Sequence, residues 1–399
     1  MDMEFRYLDI SAVTKGRIDW SATQMWKYAD APSRARRRLR SGDVLLCTVR
    51  PGLQAHARIC QYEDVPLVGS TGFAVLRPNL ADDSGFVFHQ IFSDSVAAQL
   101  RALETGSSYP AVNEGDVRRV RVFCPEKEER WRIAAVLDTV DEAIAKTEAV
   151  VAKLRQVRAG LLHDLLTRGL DPHGQLRDPI AHPEQFRDSP LGRIPREWDV
   201  KPLDSCVFSE ITYGIVQAGP HVEGGVPYIR TGDMSGDRLV LDQMMRTSPE
   251  IAARFRRSRV QAGEIVCAIR ATVGKVLPVP PELDGANLTQ GTARIAPKAE
   301  IDPSYLLWTI RSDRTQRQIA REAKGTTFFE ITLTDLRQVG VMIPSRRPEQ
   351  EQIASAIQSL ETRLTNEANG LSKLQHLKSG LKTDLLTGRV RVRDTIHAG

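Results

Sequence analysis

Two runs of this chain crowd arginine in a way that suits the binding of phosphate. Ser33-Arg34-Ala35-Arg36-Arg37-Arg38-Leu39-Arg40 and Arg254-Phe255-Arg256-Arg257-Ser258-Arg259 each stand just before a short apolar run that opens on Gly-Asp or Gly-Glu. Guanidinium groups at a surface neutralise the phosphates of a polyanion whatever its sequence. For Arg34, Arg36, Arg37, Arg38, Arg40, Arg254, Arg256, Arg257 and Arg259, a solvated surface face is the plainer alternative. Arg50 and Arg270 leave the ends of the two apolar runs, and Lys275 follows the second. A guanidinium placed there could grip a guanine edge bidentately or close the strand end with a salt bridge. Gly106-Ser107-Ser108-Tyr109 and Gly325-Thr326-Thr327-Phe328 repeat a Gly, two hydroxyls and an aromatic. Such loops can hold phosphates through hydroxyl and N–H groups, contacts that position rather than specify. A turn leading into the last strand of a domain is the simpler reading.

Patterns for covalent chemistry are missing. An adenine methyltransferase would hold its flipped base with Asn/Asp-Pro-Pro-Tyr/Phe, and no such run occurs. Ala271-Thr272-Val273-Gly274-Lys275 contains a Gly-Lys pair, yet Ile269 stands where a phosphate loop needs its first Gly and Val276 where Ser or Thr would bind Mg²⁺. There is no His-Glu-x-x-His. Cys47, Cys60, Cys124, Cys206 and Cys267 are scattered and never in Cys-x-x-Cys spacing, so neither a disulfide framework nor a zinc site is expected. His56, His89 and His163 lack partner spacing and read as core or surface residues rather than ligands. The expected setting is the reduced cytoplasm. No apolar run nears the ~18 residues of a membrane helix, and Met1-Asp2-Met3-Glu4-Phe5-Arg6 is no signal peptide. A net charge of +5, from 55 Lys and Arg against 50 Asp and Glu, does not by itself argue for nucleic acid.

The elements that position these groups come in duplicate, and internal repetition governs the architecture. Lys153-Leu154, Gly160-Leu161 and Asp164-Leu165-Leu166-Thr167 return at one constant offset as Lys373-Leu374, Gly380-Leu381 and Asp384-Leu385-Leu386-Thr387. Upstream, Ile133 matches Ile353. After a one-residue slip, Pro125 matches Pro344, Val120 matches Val339, Asp116 matches Asp335, and Gly72 matches Gly291. Near the start of each half, Leu8-Asp9 is aligned with Leu203-Asp204, and Gly42-Asp43-Val44 with Arg50 is aligned with Gly263-Glu264-Ile265 with Arg270. On this alignment the second copy carries an extra piece between Tyr213 and Gln261.

Residues 1–125 mix short β-type runs (Val44 to Val49, Phe73 to Leu76, Val120 to Phe123) with turns and an amphipathic stretch from Ser93 to Leu103, which predicts a small α+β domain. Residues 199–345 repeat it, with strands expected at Ile265 to Ile269, Thr292 to Ile295 and Val339 to Ile343 and a helix from Pro303 to Ala320. Each domain ends at a proline and gives way to a long helix, over residues 126–170 and 346–388. Residues 171–198, rich in Pro, Gly and charge, read as an extended connector. Residues 389–399 form a tail.

The first long helix aligns Ile133, Leu137, Val140, Ile144, Val151, Leu154, Leu161 and Leu165, with Thr147 and Arg158 interrupting. The second aligns Ile353, Ile357, Leu360, Leu364, Leu371, Leu374, Leu381 and Leu385, with Glu367 and Lys378 interrupting. A repeat of ~3.5 residues over more than four heptads is a coiled-coil seam. An antiparallel pair would set the two domains at opposite ends. Opposing polar residues argue for a register in which Arg158 meets Glu367 and Thr147 meets Lys378. A slide of one heptad would instead set Arg158 against Leu360 and Lys378 against Val140, placing charges on aliphatic layers.

These words in this order resemble the specificity (S) subunit of type I restriction-modification enzymes. Asp188-Ser189-Pro190-Leu191-Gly192-Arg193-Ile194-Pro195-Arg196-Glu197-Trp198-Asp199-Val200 is similar to the phrase that opens target-recognition domains in that family, and the paired Asp-Leu-Leu-Thr endings resemble its other recurring words. The first half departs from the pattern by lacking the Gly-x-Ile-Pro-x-x-Trp opening. The resemblance implies an α+β fold with two target-recognition domains, each followed by a long helix, and the helices paired as an antiparallel coiled coil. It implies a non-catalytic reader of double-stranded DNA that docks two modification (methyltransferase) subunits and, through them, restriction (translocase-nuclease) subunits. S-adenosylmethionine, ATP and Mg²⁺ would belong to those partners. Two other classes remain open to the residues alone: a self-contained methyltransferase or nuclease with degenerate motifs, and a protein-binding coiled-coil scaffold.

Overall fold

The computed structural model describes residues 4–60, 65–242, 244–325 and 329–392. It divides into two compact units, residues 1–151 with 366–399 and residues 152–365. Each is a small α+β domain packed on segments of two long helices, Lys127–Thr167 and Arg347–Leu385.

In the first unit, strand Glu4–Leu8 lies between Gln24–Lys27, antiparallel, and Leu67–Ser70, parallel, with Ala35–Leu39 at the far edge. A second sheet centres on the fully buried strand Val44–Cys47, flanked by Ala57–Arg58 and Phe73–Leu76. Helices Ser84–Ile91, Asp94–Leu103 and Glu114–Arg119 cover it. The second unit repeats this order. Val226–Ile229 pairs parallel with Asn287–Leu288, Ile265–Ala268 pairs with Thr292–Ile295, and helices Pro303–Arg311, Asp313–Glu322 and Leu333–Gln338 follow.

The duplicated geometry explains several repeated residues. Asp116 closes a capping box in which its carboxylate accepts from the Asn113 N–H at 2.9 Å and its own N–H donates to the Asn113 side chain at 3.0 Å. Asp335 stands at the same helix position, its N–H donating to Thr332 Oγ1 at 3.1 Å. Gly72 and Gly291 each stand close against a neighbouring side chain. A Cβ on Gly72 would lie 2.3 Å from Ile10 Cδ1, and one on Gly291 would lie 2.7 Å from Thr231 Oγ1.

The same geometry corrects the alignment of the first forty residues. Parallel pairing sets Tyr7 beside Val68 and Leu8 beside Gly69, as it sets Tyr228 beside Asn287 and Ile229 beside Leu288. The hairpin that follows pairs Val13 with Ile18 in one unit and Met234 with Leu239 in the other. Leu8-Asp9 therefore corresponds to Ile229-Arg230, not to Leu203-Asp204. The stretch from about 225 to 261 is no extra piece, because residues 4–40 are its counterpart. What the first unit lacks, among the described residues, is a counterpart of Trp198–Tyr213.

Two expected elements also change. Val120 to Phe123 is not a strand, whereas the matching Gly340–Pro344 is one because Trp198–Pro202 pairs along its whole length. The helix expected from Pro303 to Ala320 is two helices, since Ser312 takes an extended backbone and its Oγ caps the second by accepting from the Thr315 N–H at 3.4 Å.

The helix segments run antiparallel inside each unit, and their order of contacts fixes the register. In the second unit Arg158 pairs with Glu361, and Glu349 accepts from the Leu170 N–H at 3.0 Å. In the first unit Lys378 pairs with Asp141, and Glu129 accepts from the Val392 N–H at 3.1 Å. The register in which Arg158 meets Glu367 and Thr147 meets Lys378 is therefore incorrect. Each cation is offset by six positions from the partner expected for it and pairs with a carboxylate beside an aliphatic seam residue. Glu361 follows Leu360, and Asp141 follows Val140. The long side chains reach out of the seam to these flanking acids, which removes the cost of setting a charge against an aliphatic layer. The seam residues themselves, from Ile133 to Leu165 and from Ile353 to Leu385, are buried or half-buried throughout.

The start of each long helix carries a buried carboxylate with a full set of donors. Glu349 Oε1 accepts from Arg177 Nη1 at 2.6 Å and from the Trp198 indole at 3.0 Å. Glu129 holds Arg391 at 2.6 Å. In the first unit the domain is further tied to its helix through Asp138, which accepts from His89 at 2.8 Å and from Arg58 at 3.1 Å. Burial pushes the Asp138 carboxyl up, but these two donors prevail and hold it below the usual carboxylate range.

Candidate nucleic-acid interface

At the end of each central strand the backbone turns sharply through a residue other than glycine in the left-handed region, Arg50 (φ 48°) in the first unit and Ala271 (φ 61°) in the second. The Arg50 N–H donates to Pro110 O at 2.7 Å and the Ala271 N–H donates to Phe329 O at 3.1 Å. Arg50 thus corresponds to Ala271, and the alignment of Arg50 with Arg270 is one residue out. The difference matters for chemistry. Arg270 pairs with Glu330 at 2.9 Å, which is the strand-end salt bridge. Arg50 instead lies over the Tyr109 ring, 4.3 Å from its centroid, and its Nη2 reaches Ser108 O at 3.4 Å. Two candidates distant in sequence, Arg50 and the Gly106-to-Tyr109 loop, are brought together in one place.

That loop is a pinched excursion closed by reciprocal hydrogen bonds of 2.9 Å between Thr105 and Ala111. Lys324 and Glu330 close the second loop in the same way, also at 2.9 Å. The repeated glycine serves this geometry, since Gly106 and Gly325 both take positive φ, 93° and 124°. Ser107, Ser108 and Tyr109 are exposed, Tyr109 to 70%. Thr326 and Thr327, with Phe328, lie outside the described residues. Lys275 follows the turn half-buried, its N–H donating to Thr272 O at 3.1 Å.

The two arginine clusters occupy matching places in the chain but fold differently. Arg36, Arg37 and Arg38 belong to edge strand Ala35–Leu39, which pairs with Leu67–Ser70 through a bulge between Ala35 and Arg37. Arg37 is held by Glu114, and Arg36 Nε donates to Ser33 O at 3.0 Å. Arg34, Arg38 and Arg40 are exposed, with no side-chain partner among the described residues. In the second unit Arg254 ends helix Pro249–Arg254, Arg256 and Arg257 lie in the single turn Arg256–Ser258, and Arg259 follows. All four are exposed without an ion pair among the described residues.

Sequence reasoning missed the buried acids beneath these clusters. Asp43 forks onto Arg77 with two contacts of 2.7 Å and also accepts from the Arg40 N–H at 2.8 Å. Glu264 holds Arg294 Nε at 2.7 Å and accepts from the Gln261 N–H at 2.9 Å. The repeated Gly-Asp and Gly-Glu words are thus latches for the turn that carries the arginines into the central strand. An acid following a glycine at matched positions was the available signal.

Two recognition-like domains of one plan, tied to paired long helices, define a class, and comparison with known proteins agrees with it. Residues 195–376 match the type I restriction modification DNA specificity domain. The chain is 22% identical over 340 residues to the type I restriction enzyme MjaVIII specificity subunit of Methanocaldococcus jannaschii, covering 82% of this chain and 75% of that one. In fold it is similar to the type I restriction-modification system S subunit from M. genitalium, with a TM-score of 0.58 at 15% identity over 96% of this chain and 88% of that one. A chain from a study of complex assembly and conformational transition of the type I R-M system gives a TM-score of 0.51 at 24% identity, covering 98% of this chain and 93% of that one. Residues 195–376 thus match the type I restriction modification DNA specificity domain, and the curated proteins to which the chain is similar are type I restriction enzyme specificity subunits. No helix among the described residues is long and apolar enough to cross a membrane.

Proposed function

We propose that this chain reads an asymmetric, two-part target in double-stranded DNA, one part with each α+β domain. It docks two modification (methyltransferase) subunits on its long helices, with restriction (translocase-nuclease) subunits joining through those, in the cytoplasm. S-adenosylmethionine, ATP and Mg²⁺ belong to the partners. The observation that carries this reading is the contrast between framework and surface: one backbone plan presents its arginines from an edge strand in the first unit and from a helix end in the second. A reader of a palindrome would repeat its surface. Here equal scaffolds carry unequal cations, so the two half-sites differ.

Within this reading, exposed Arg34, Arg38, Arg40, Arg254, Arg256, Arg257 and Arg259 supply phosphate contacts, and the Arg50–Tyr109 stack faces the duplex where a bidentate donor can reach a base edge. The purified chain is incubated with S-adenosylmethionine and DNA, with and without a modification subunit encoded beside it. Sequence-specific adenine methylation only in the mixture is the expected result. Methylation by the chain alone would contradict the proposal.

A further inference from the structure

The two units differ at one buried contact between domain and helix. Ser93 and Ser312 cap matching helices, and just before them Gln90 Nε2 and Thr309 Oγ1 donate to matching carbonyls, Phe123 O at 3.0 Å and Met342 O at 3.4 Å. His89 therefore corresponds to Trp308, and Phe92 to Arg311. In the first unit the His89 side chain, 2% exposed, meets the Asp138 carboxylate at 2.8 Å, and both line a cleft between the domain and its helices. In the second unit Trp308 is 4% exposed, and its indole N–H has no hydrogen-bond partner among the described residues. Gln358 holds the position on the long helix that Asp138 holds in the first unit. A buried donor left without an acceptor is costly, and the first unit shows that this plan can supply one.

Cations without carboxylates gather at the same place. A cleft of about 330 Å³ in the second unit is lined by Trp308, Arg311 and Arg314 from the domain and by Arg158 and Leu162 from the long helix. Arg158 is neutralised by Glu361. Arg311 donates to the Val276 carbonyl at 2.9 and 3.2 Å, and Arg314 donates to the Arg193 carbonyl at 3.0 Å and to Met342 Sδ at 3.5 Å. Asp237 and Asp313 also line the cleft, but they are exposed, and among the described residues neither forms an ion pair with Arg311 or Arg314. Burial pulls the pKa of both guanidinium groups below the ordinary value, the mark of a charge short of compensation. Arg311 lies 4.9 Å from the centroid of the Trp308 ring, so the uncompensated charge and the unmet N–H are neighbours.

We propose that this cleft of the second unit binds a phosphate group, neutralised by Arg311 and Arg314 and accepting from the Trp308 indole N–H. The phosphate takes the part that the Asp138 carboxylate plays in the first unit. Three donor groups, two of them charged, match the several oxygens and the double charge of a phosphate. A lone carboxylate is taken up by a single guanidinium fork, as Asp43 is by Arg77.

Inorganic phosphate is the probe. Thermal unfolding of the full chain is followed in sodium phosphate and in sodium chloride of equal ionic strength. Phosphate should raise the Tm above its value in chloride, and the rise should saturate. Arg311→Gln should raise the half-saturating concentration roughly tenfold. Gln358→Asp gives the second unit the carboxylate of the first, and it should suppress the phosphate response while the Tm in chloride stays the same or rises. A duplex of unrelated sequence then separates two sources of the group: weaker binding by the Gln358→Asp chain marks a phosphate of the DNA backbone, and equal binding marks a free phosphate compound. Equal Tm in phosphate and chloride would overturn the proposal. So would a phosphate response that either substitution leaves undiminished, which would assign it to the exposed arginines elsewhere on the surface.

Discussion

Arg158 pairs with Glu361, although Glu367 is the seam residue that its charge seemed to require. The pair is half-buried, with side-chain exposures of 34% and 18%, so its strength is that of a partly screened ion pair. Reversing Arg158 to Glu should destabilise the chain by about 1 kcal/mol, and Glu361→Arg added to it should recover most of that loss. Glu367→Gln should show no coupling to Arg158. A double-mutant cycle by urea unfolding measures both, and coupling to Glu367 instead of Glu361 would overturn the register.

The helix-start acid of the second unit should be far more sensitive. Glu349 is 2% exposed and receives Arg177, the Trp198 indole and the Leu170 N–H. Glu349→Ala leaves the buried Arg177 guanidinium without its carboxylate, and loss of one member of a buried pair costs about 3–5 kcal/mol. A loss below about 1 kcal/mol in denaturant titration would show that this network does not hold the helix to its domain.

A buried histidine sets the stability of the first unit against acid. His56 is 1% exposed, its Nδ1 accepts the Cys47 N–H at 3.0 Å, and burial pulls its pKa from 6.5 down to about 4. The unfolded chain takes up this proton near pH 6.5 and the folded chain only near pH 4. The stabilisation is therefore complete above pH 6.5 and is lost as the pH falls toward 4, by about 3 kcal/mol. Thermal unfolding between pH 7 and 4.5 should show this slope, and His56→Gln, which keeps an acceptor, should flatten it. An unchanged slope would place the acid sensitivity elsewhere.

DNA affinity should sort the arginines by their partners. Neutralising Arg34 or Arg38 with Gln should weaken binding to all sequences alike and lower the salt slope by about one per residue. Arg37, already held by Glu114, should contribute less. Binding isotherms across a range of salt concentrations read both. A changed sequence preference at unchanged salt slope would assign these residues to base readout.

The repeat was legible because framework words are enforced by backbone geometry. Gly106 and Gly325 must take positive φ, Gly72 and Gly291 must admit a neighbouring side chain, and Asp116 and Asp335 must close a helix start. Such constraints act at single positions and leave the same residue in both copies. The first forty residues were misaligned because no such word ties them to residues 225–261. Their correspondence lies in strand pairing, which backbone groups make whatever side chains they carry. The helix seam was legible from its period, yet its register was not. Polar seam residues were matched to one another, whereas Arg158 and Lys378 are long enough to reach acids one position outside the seam. Of the candidate contacts, residue type and spacing pointed to Arg50 and to the Gly106–Tyr109 loop separately. Their stacking depends on a left-handed turn at an arginine, for which one sequence carries no signal.

The central claim is that two domains each read one part of a two-part target, and a domain exchange tests it most directly. Residues 1–125 are replaced by the corresponding residues of a related specificity subunit, the chain is expressed with its modification subunit, and methylated sites are mapped across a genome. One half of the recognised sequence should change while the other half stays as it was. A change in both halves, or in neither, would contradict the account.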